Sequence, residues 1–191
     1  VGMTVLNVGT HQIDLAGPDD ATGHVYCKAE IQDGDRWIHQ ATEGLTDEQL
    51  YYQPSSDTNS IAWLIWHLSR WRDKISAAIV GDSQVWASEG WAQRFDIDPD
   101  RTGLGDTLEQ VAAFNAERDL ILGYARAAHN AIVERVSRMS PEDFEREIEY
   151  MPGACRPAWR ALISVMGDSS EHTGQINYLR GMITGHGWRP R

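Results

Sequence analysis

The sequence predicts an all-α fold, a four-helix bundle with a lid-like insertion after the second helix. Three observations carry this expectation. Four segments repeat apolar residues at the three-to-four-residue spacing of a helix with one buried face, with helix start and stop residues around them. No stretch alternates like a strand for longer than two to four residues. A chain of 191 residues, 41% hydrophobic and 24% charged, has the size and composition of one globular domain with a real core.

Residues 1–23 are polar, rich in Gly and Asp and without a sustained period, and read as a polar N-terminal arm. The helical domain is placed at residues 24–191. Ile31, Trp37, Ile38 and Ala41 form its first stripe, which Gly44 stops. In "LTDEQLYYQP" Thr46 begins a helical turn, with Glu48 and Gln49 behind it. Asn59 or Ser60 caps a second helix with Ile61, Leu64, Ile65, Leu68, Ile75 and Ile79 on its core face, ending at Gly81-Asp82. Residues 83–106 hold a short helical piece and a Gly/Asp/Pro loop, expected to act as a lid whose 83–97 part covers the mouth of the bundle. Thr107 caps the next stretch, one long helix or two joined near Asn115. "SPEDFEREIEYMPGACRP" reads as a linker to a last helix, about Pro157 to Thr184, with Trp159, Leu162, Ile163, Met166, Ile176, Leu179 and Ile183 turned inward.

A net charge of −11 and a pI near 5.0 argue against a nucleic-acid partner, which needs a basic footprint. No apolar run approaches a membrane span, and "VGMTVLNVGTHQ" lacks the build of a signal peptide. Cys27 and Cys155 show no metal or redox spacing, which favours a reducing cytoplasm.

"NSIAWLIWHLSRW" (59–71) sets His67 among Trp63, Trp66 and Trp71. Alone, such a histidine reads as a core residue with its nitrogens satisfied. The last helix changes the question. In "GDSSEHTGQINYLRG", Asp168 and His172 lie four apart, nearly above one another on one face, with Gln175 a turn beyond. This is the spacing by which one helix offers two ligands to one ion, and a carboxylate on that face needs a partner. His67 on a facing helix completes a set of two histidines and one carboxylate, which leaves positions open for water or substrate. The competing reading is a buried Asp168–His172 hydrogen bond with His67 unrelated.

Three motifs in this order, "NSIAWLIWHLSRW", "QVWASEGWAQRF" and "EHTGQINYLRG", resemble the DinB-like four-helix-bundle superfamily over roughly residues 28–185. They look most like the branch that includes mycothiol-dependent maleylpyruvate isomerases. The resemblance implies an up-down-down-up bundle with a nickel- or zinc-type ion at one mouth. It implies that His67, Asp168 and His172 are the metal ligands. It also implies a low-molecular-weight thiol, mycothiol or a relative, as cosubstrate of a transferase or isomerase. Two departures stand out. Asp168 occupies a place where the isomerases carry Glu, and the sequence lacks their additional C-terminal domain, so the metal carries over better than the maleylpyruvate reaction does.

A divalent ion in such a site lowers the pKa of a bound thiol or water. Trp63, Trp71, Trp86, Trp91 and Gln175 are candidate pocket residues, with ordinary core packing the alternative for the tryptophans. Arg70, Lys74 and Arg160 are candidate anchors for an anionic substrate, with solvated helix surface the alternative. The expected partners are a small thiol and an electrophile, with no nucleic acid and no membrane. The rival readings are a non-catalytic metal-binding or stress-response bundle, as a homodimer joined through helix faces, a helical interaction domain with no metal, and a hydrolase using metal-bound water.

Overall fold

The structure is a computed structural model and describes residues 5–8, 11–14, 31, 36–185 and 187–188. Within the predicted arm, β1 (Val5–Val8) and β2 (His11–Asp14) pair antiparallel, Val5 opposite Asp14 and Val8 opposite His11. The rest of residues 1–23, and Cys27, lie outside the described residues. Cys155 is a free, exposed thiol.

The bundle is built from α1 (described over 36–42), α3 (Ile61–Val80), α7 (Arg118–Arg138) and α9 (Ala158–Thr184). Short helices α2 (Asp47–Leu50), α4 (Val85–Ser88), α5 (Trp91–Phe95), α6 (Leu108–Ala112) and α8 (Pro141–Glu145) lie in the connections. Local chemistry starts and stops these helices where the sequence says. Ser60 caps α3 by accepting the Trp63 N–H, and Gly81 closes it in the left-handed conformation at φ +76°. Thr46 and Thr107 each form a capping box, with Gln49 and Gln110 returning the second bond. Each such cap contributes about 1 kcal/mol. The stretch from Thr107 is two helices, α6 and α7, rather than one.

Helix α3 is the centre of the molecule. It packs on both α7 and α9, and nearly all of it from Ile61 to Ile79 is buried. Its first half joins a core with Trp66, Trp86, Phe114 and Tyr124. Its second half, with Ile75 and Ile79, joins another core with Ile132, Phe144, Leu162 and Val165. Between the two runs a buried polar belt of Ser69, Arg70, Arg72 and Asp73 on α3, met by Arg135 of α7 and Ser169 of α9. Asp73 is fully buried. Its carboxylate accepts from Arg135 Nη1 (3.0 Å) and from the backbone N–H groups of Val85 (3.0 Å) and Trp86 (2.9 Å). It thereby caps α4, which has no side-chain cap of its own.

Two expectations need correction. The stretch read as a linker contains a hairpin, β3 (Glu147–Met151) and β4 (Ala154–Pro157), turning at Pro152-Gly153 with Gly153 at φ +75°. On α9, Leu162, Ile176 and Leu179 are buried as expected, but Trp159 and Ile163 are exposed because no other described helix covers that face. No described helix is long and apolar enough to cross a membrane.

Candidate metal centre

Helix α3 carries Trp63, His67 and Trp71 at four-residue intervals, so the three rings form one row along it. The indole of Trp63 stacks on the His67 imidazole (centroids 4.7 Å, 10° between planes), and Trp71 meets that imidazole edge-on at 6.5 Å. From α9 come Asp168 and His172. One ligand atom each from His67, Asp168 and His172 lie within 4.8 Å of one another. The two imidazoles meet edge-to-face with centroids 4.9 Å apart.

Hydrogen bonds fix which nitrogens are bare. His67 Nδ1 lies 2.6 Å from the Thr102 carbonyl oxygen, which can only accept, so Nδ1 carries the proton and Nε2 keeps its lone pair. His172 Nδ1 pairs in the same way with Gln175 Oε1 at 2.8 Å, and His172 Nε2 stands 3.4 Å from Asp168 Oδ1. Both imidazoles are thus held from behind by a carbonyl oxygen, as outer partners orient metal-binding histidines.

Electrostatics separate the pair. Burial drives the His67 pKa below the usual imidazole value, against the opposing Thr102 hydrogen bond and Asp168 charge. Burial also acts to lower His172, but its hydrogen bonds to Asp168 and Gln175, with the Asp168 and Glu171 charges, outweigh it and the net shift is upward. The neutral, ligating form is thus favoured at His67 and disfavoured at His172 relative to an ordinary imidazole.

The donor set suits a divalent transition metal. Asp168 Oδ2 is buried and has no hydrogen-bond partner among the described residues. An Asp168–His172 hydrogen bond alone therefore does not account for this carboxylate, and leaving a buried oxygen unpaired costs about 1–3 kcal/mol. Two imidazole nitrogens and a carboxylate match zinc, nickel or a related ion.

The loop 98–107 lies over His67, and α3 holds it. Trp63 Nε1 donates to Asp106 Oδ2 (3.0 Å), while Arg70 donates to the carbonyls of Arg101 (3.1 Å) and Pro99 (3.0 Å). Arg101 closes the loop with two bonds to Asp106, at 2.9 and 2.7 Å. Burial would raise the Asp106 pKa, but the Arg101 and Trp63 bonds outweigh it and keep the carboxyl below its ordinary range. Gly103, at φ +89°, sits against the imidazole with no room for a side chain.

The tryptophans of the predicted lid lie in the core. Trp86 packs in the core against Tyr124 (4.8 Å) and Phe95 (5.1 Å), beneath Arg70. Trp91 packs on Tyr124 (5.6 Å) and against Gly123. Asp73 pins the start of this segment inward, so its aromatic residues fill the bundle instead of the cavity beside the cluster. The candidate anion anchors are not among the residues lining that cavity. Arg70 is buried and committed to loop carbonyls, to Gln84 and to Tyr124. Lys74 lies over the Trp71 ring, Arg160 is exposed at the start of α9, and neither lines the cavity at His67 and Asp168.

That cavity, about 230 Å³, is walled by His67, Asp168, Trp71, Leu104, Tyr150 and Met151, with Val165 behind. Of the expected pocket tryptophans, Trp71 lines it and Trp63 supports it from behind His67. Gln175 touches His172 and lines a separate groove beside Tyr178 and Leu64. Sequence reasoning missed Thr102, Gly103, Leu104, Tyr150 and Met151. The only local signal was glycine in "RTGLGD" and the Pro152-Gly153 turn of the hairpin.

The family model of the DinB superfamily matches residues 35–176. The structure is similar to a solved one described as a conserved protein from Enterococcus faecalis, with a TM-score of 0.74 and 22% identity, covering 84% of this chain and 96% of that one. That likeness bears on the fold alone. No curated protein matches the chain.

Proposed function

The chain belongs to the DinB superfamily, and from that premise we propose that it is a divalent-metal-dependent enzyme acting through a low-molecular-weight thiol, an S-transferase or isomerase of the mycothiol type. One observation carries the reading: His67 and Asp168 of the cluster line a cavity, and no fourth protein ligand joins the cluster among the described residues. A structural site is closed; a site with room beside it can take a reactant.

His67 Nε2, His172 Nε2 and an Asp168 oxygen would hold the ion, zinc or nickel by the donor set. Once bound, that ion supplies Lewis acidity, which makes a thiol ionise at neutral pH. The remaining work belongs to the chain. The Thr102 carbonyl and Gln175 Oε1 fix the tautomers and aim both Nε2 atoms inward. Leu104 and Met151 stand at the rim, and Trp71 and Tyr150 give the reactant an apolar wall that limits competing water.

The test has two stages. Protein purified without chelating resin is assayed for bound metal, with one equivalent per chain expected and loss in His67→Ala. Consumption of mycothiol, or of its cysteinyl-glucosamine fragment, is then followed with monochlorobimane as electrophile. Metal without thiol consumption favours the non-catalytic bundle, and ester hydrolysis in place of thiol transfer favours the hydrolase. No bound metal defeats the reading.

A further inference from the structure

The walls of the cavity beside the cluster say which substrate group it accepts. We infer that it binds an uncharged, planar apolar group of one or two rings, the part of the electrophile that lies against Trp71 and Tyr150. This deepens the thiol-transfer reading and rests on it for the word electrophile, but the binding site itself stands on the geometry below.

Size comes first. About 230 Å³ lies below the roughly 300 Å³ at which ordinary small-molecule sites begin, so a fused two-ring group is near the upper limit. Shape comes next. The Trp71 and Tyr150 rings are stacked, with centroids 6.1 Å apart and planes inclined by 18°, and Trp71 continues the row begun by Trp63 and His67. The cavity thus meets an aromatic wall on one side, built jointly by α3 and the β3–β4 hairpin. Leu104, 60% exposed, and Met151, 37% exposed, supply flexible apolar edges at its rim. A flat ring stacked or edged on such a wall gains attraction beyond that of its buried area.

Charge decides the class. Apart from Tyr150, the ionisable groups that line the cavity are His67 and Asp168. Among the described residues no cationic side chain lines the cavity, so in the stripped protein an anion faces the Asp168 carboxylate and the negative faces of the rings. An aromatic wall next to an acid would ordinarily suit a cation. Here both rings already carry one: Lys74 Nζ lies 5.6 Å from the Trp71 centroid and the Arg156 guanidinium 3.9 Å from that of Tyr150. Arg156 is held in place by a bond to Ser164 Oγ at 3.1 Å. A second cation would add repulsion to each ring that should attract it. The neutral group alone is left without an electrostatic cost.

The experiment uses three probes with one ring system: indole, indole-3-acetate and tryptamine. Each is titrated calorimetrically into the full chain, both stripped with chelator and loaded with zinc. Indole should bind at least tenfold more tightly than either charged probe in the stripped protein, and Tyr150→Ala should weaken it at least fivefold. Leu104→Arg, a change at an exposed position, should bring a guanidinium to the rim and raise the affinity for indole-3-acetate at least fivefold. It serves as the deciding variant if circular dichroism shows Tyr150→Ala unfolded. Equal binding of the three probes, tightest binding of a charged one, or an unchanged charge preference in Leu104→Arg overturns the inference. Because these readings come from stripped protein, they stand or fall separately from the metal. A chain that selects indole but takes up no zinc would defeat the proposed function and leave the cavity assignment intact.

Discussion

Gly103 lies so close to His67 that a Cβ added to it would stand 2.6 Å from the imidazole Nδ1. The same atom would meet Trp63 Cζ2 at 2.8 Å and Trp66 Cζ3 at 3.1 Å. All three neighbours belong to rings packed on α3, so none can swing aside, and the loop itself must lift. The positive φ of +89° adds strain for any residue with a side chain. The close approach lets the next carbonyl back along the chain, that of Thr102, reach Nδ1.

Gly103→Ala should therefore act on the metal through His67. With the Thr102 bond broken the imidazole loses its fixed tautomer, and loss of such an outer partner lowers metal affinity about 10–100-fold. The fold should survive with a loss of about 1–3 kcal/mol. Zinc titration beside a thermal melt separates the two effects. Wild-type affinity in a destabilised mutant would mean the loop does not orient His67.

Metal uptake should depend on pH through His172. Its pKa is raised above the ordinary 6.5 while that of His67 is lowered, so His172 is the ligand that keeps its proton to the higher pH. In stripped protein the raised pKa contributes stability that is full below about pH 6.5 and is lost as pH rises through the folded value. Metal competes with that proton. Affinity should fall about tenfold per pH unit below the folded His172 pKa and level off above it. Calorimetry in buffers of different ionisation enthalpy should count close to one proton released at the low end and none at the high end. In His172→Gln that proton release should vanish.

Asp73 should matter more to the fold than any residue of the cluster. Asp73→Ala leaves Arg135, 4% exposed, and Arg70, 1% exposed, facing each other without their carboxylate and takes the cap from α4. Breaking one partner of a buried ionic network costs about 3–5 kcal/mol. Urea denaturation should show a loss in that range, and near-ultraviolet dichroism a loosened Trp86. A loss under about 1 kcal/mol would mean water replaces the carboxylate.

The sequence made the helices legible because their signals are local. Ser60, Gly81, Thr46 and Thr107 act on residues within one turn, and each does what its type predicts. The cluster was legible for a related reason: four-residue spacing on α9 fixes Asp168 over His172 wherever the helix packs. What stayed hidden depends on contacts distant in sequence. Asp73 reads as a solvated helix charge until Arg135, 62 residues away, is known to face it. Trp86 and Trp91 read as lid residues until Asp73 turns their segment inward. Trp159 and Ile163 fit the apolar period of α9 but not its buried side. The hairpin was missed because its strands are only five and four residues long, too short for their period to stand out, although burial alternates along β3.

His172→Leu distinguishes a site from a structural pair. In the structural reading His172 satisfies Asp168, and its loss strands a carboxylate. The geometry makes that cost small: the Asp168 side chain is 34% exposed, and Oδ1 stands 3.4 Å from His172 Nε2, beyond a strong charge-assisted bond. Leucine also replaces a half-buried imidazole with an apolar group, offsetting lost contacts with transfer energy. Stripped of metal, the mutant should melt close to wild type, since the apolar faces of α3, α7 and α9 supply most of the stability. Added zinc should then raise the melting temperature of wild type and leave the mutant unchanged, because a ligand that binds only the folded state stabilises it by mass action. At a zinc concentration a hundred times Kd that gain is about 2.7 kcal/mol. A stripped mutant far below wild type, with no zinc effect on either protein, would make the Asp168–His172 pair structural. A modest loss with the zinc shift confined to wild type is the signature of the metal centre, because the shift requires three ligands and the pair supplies only two.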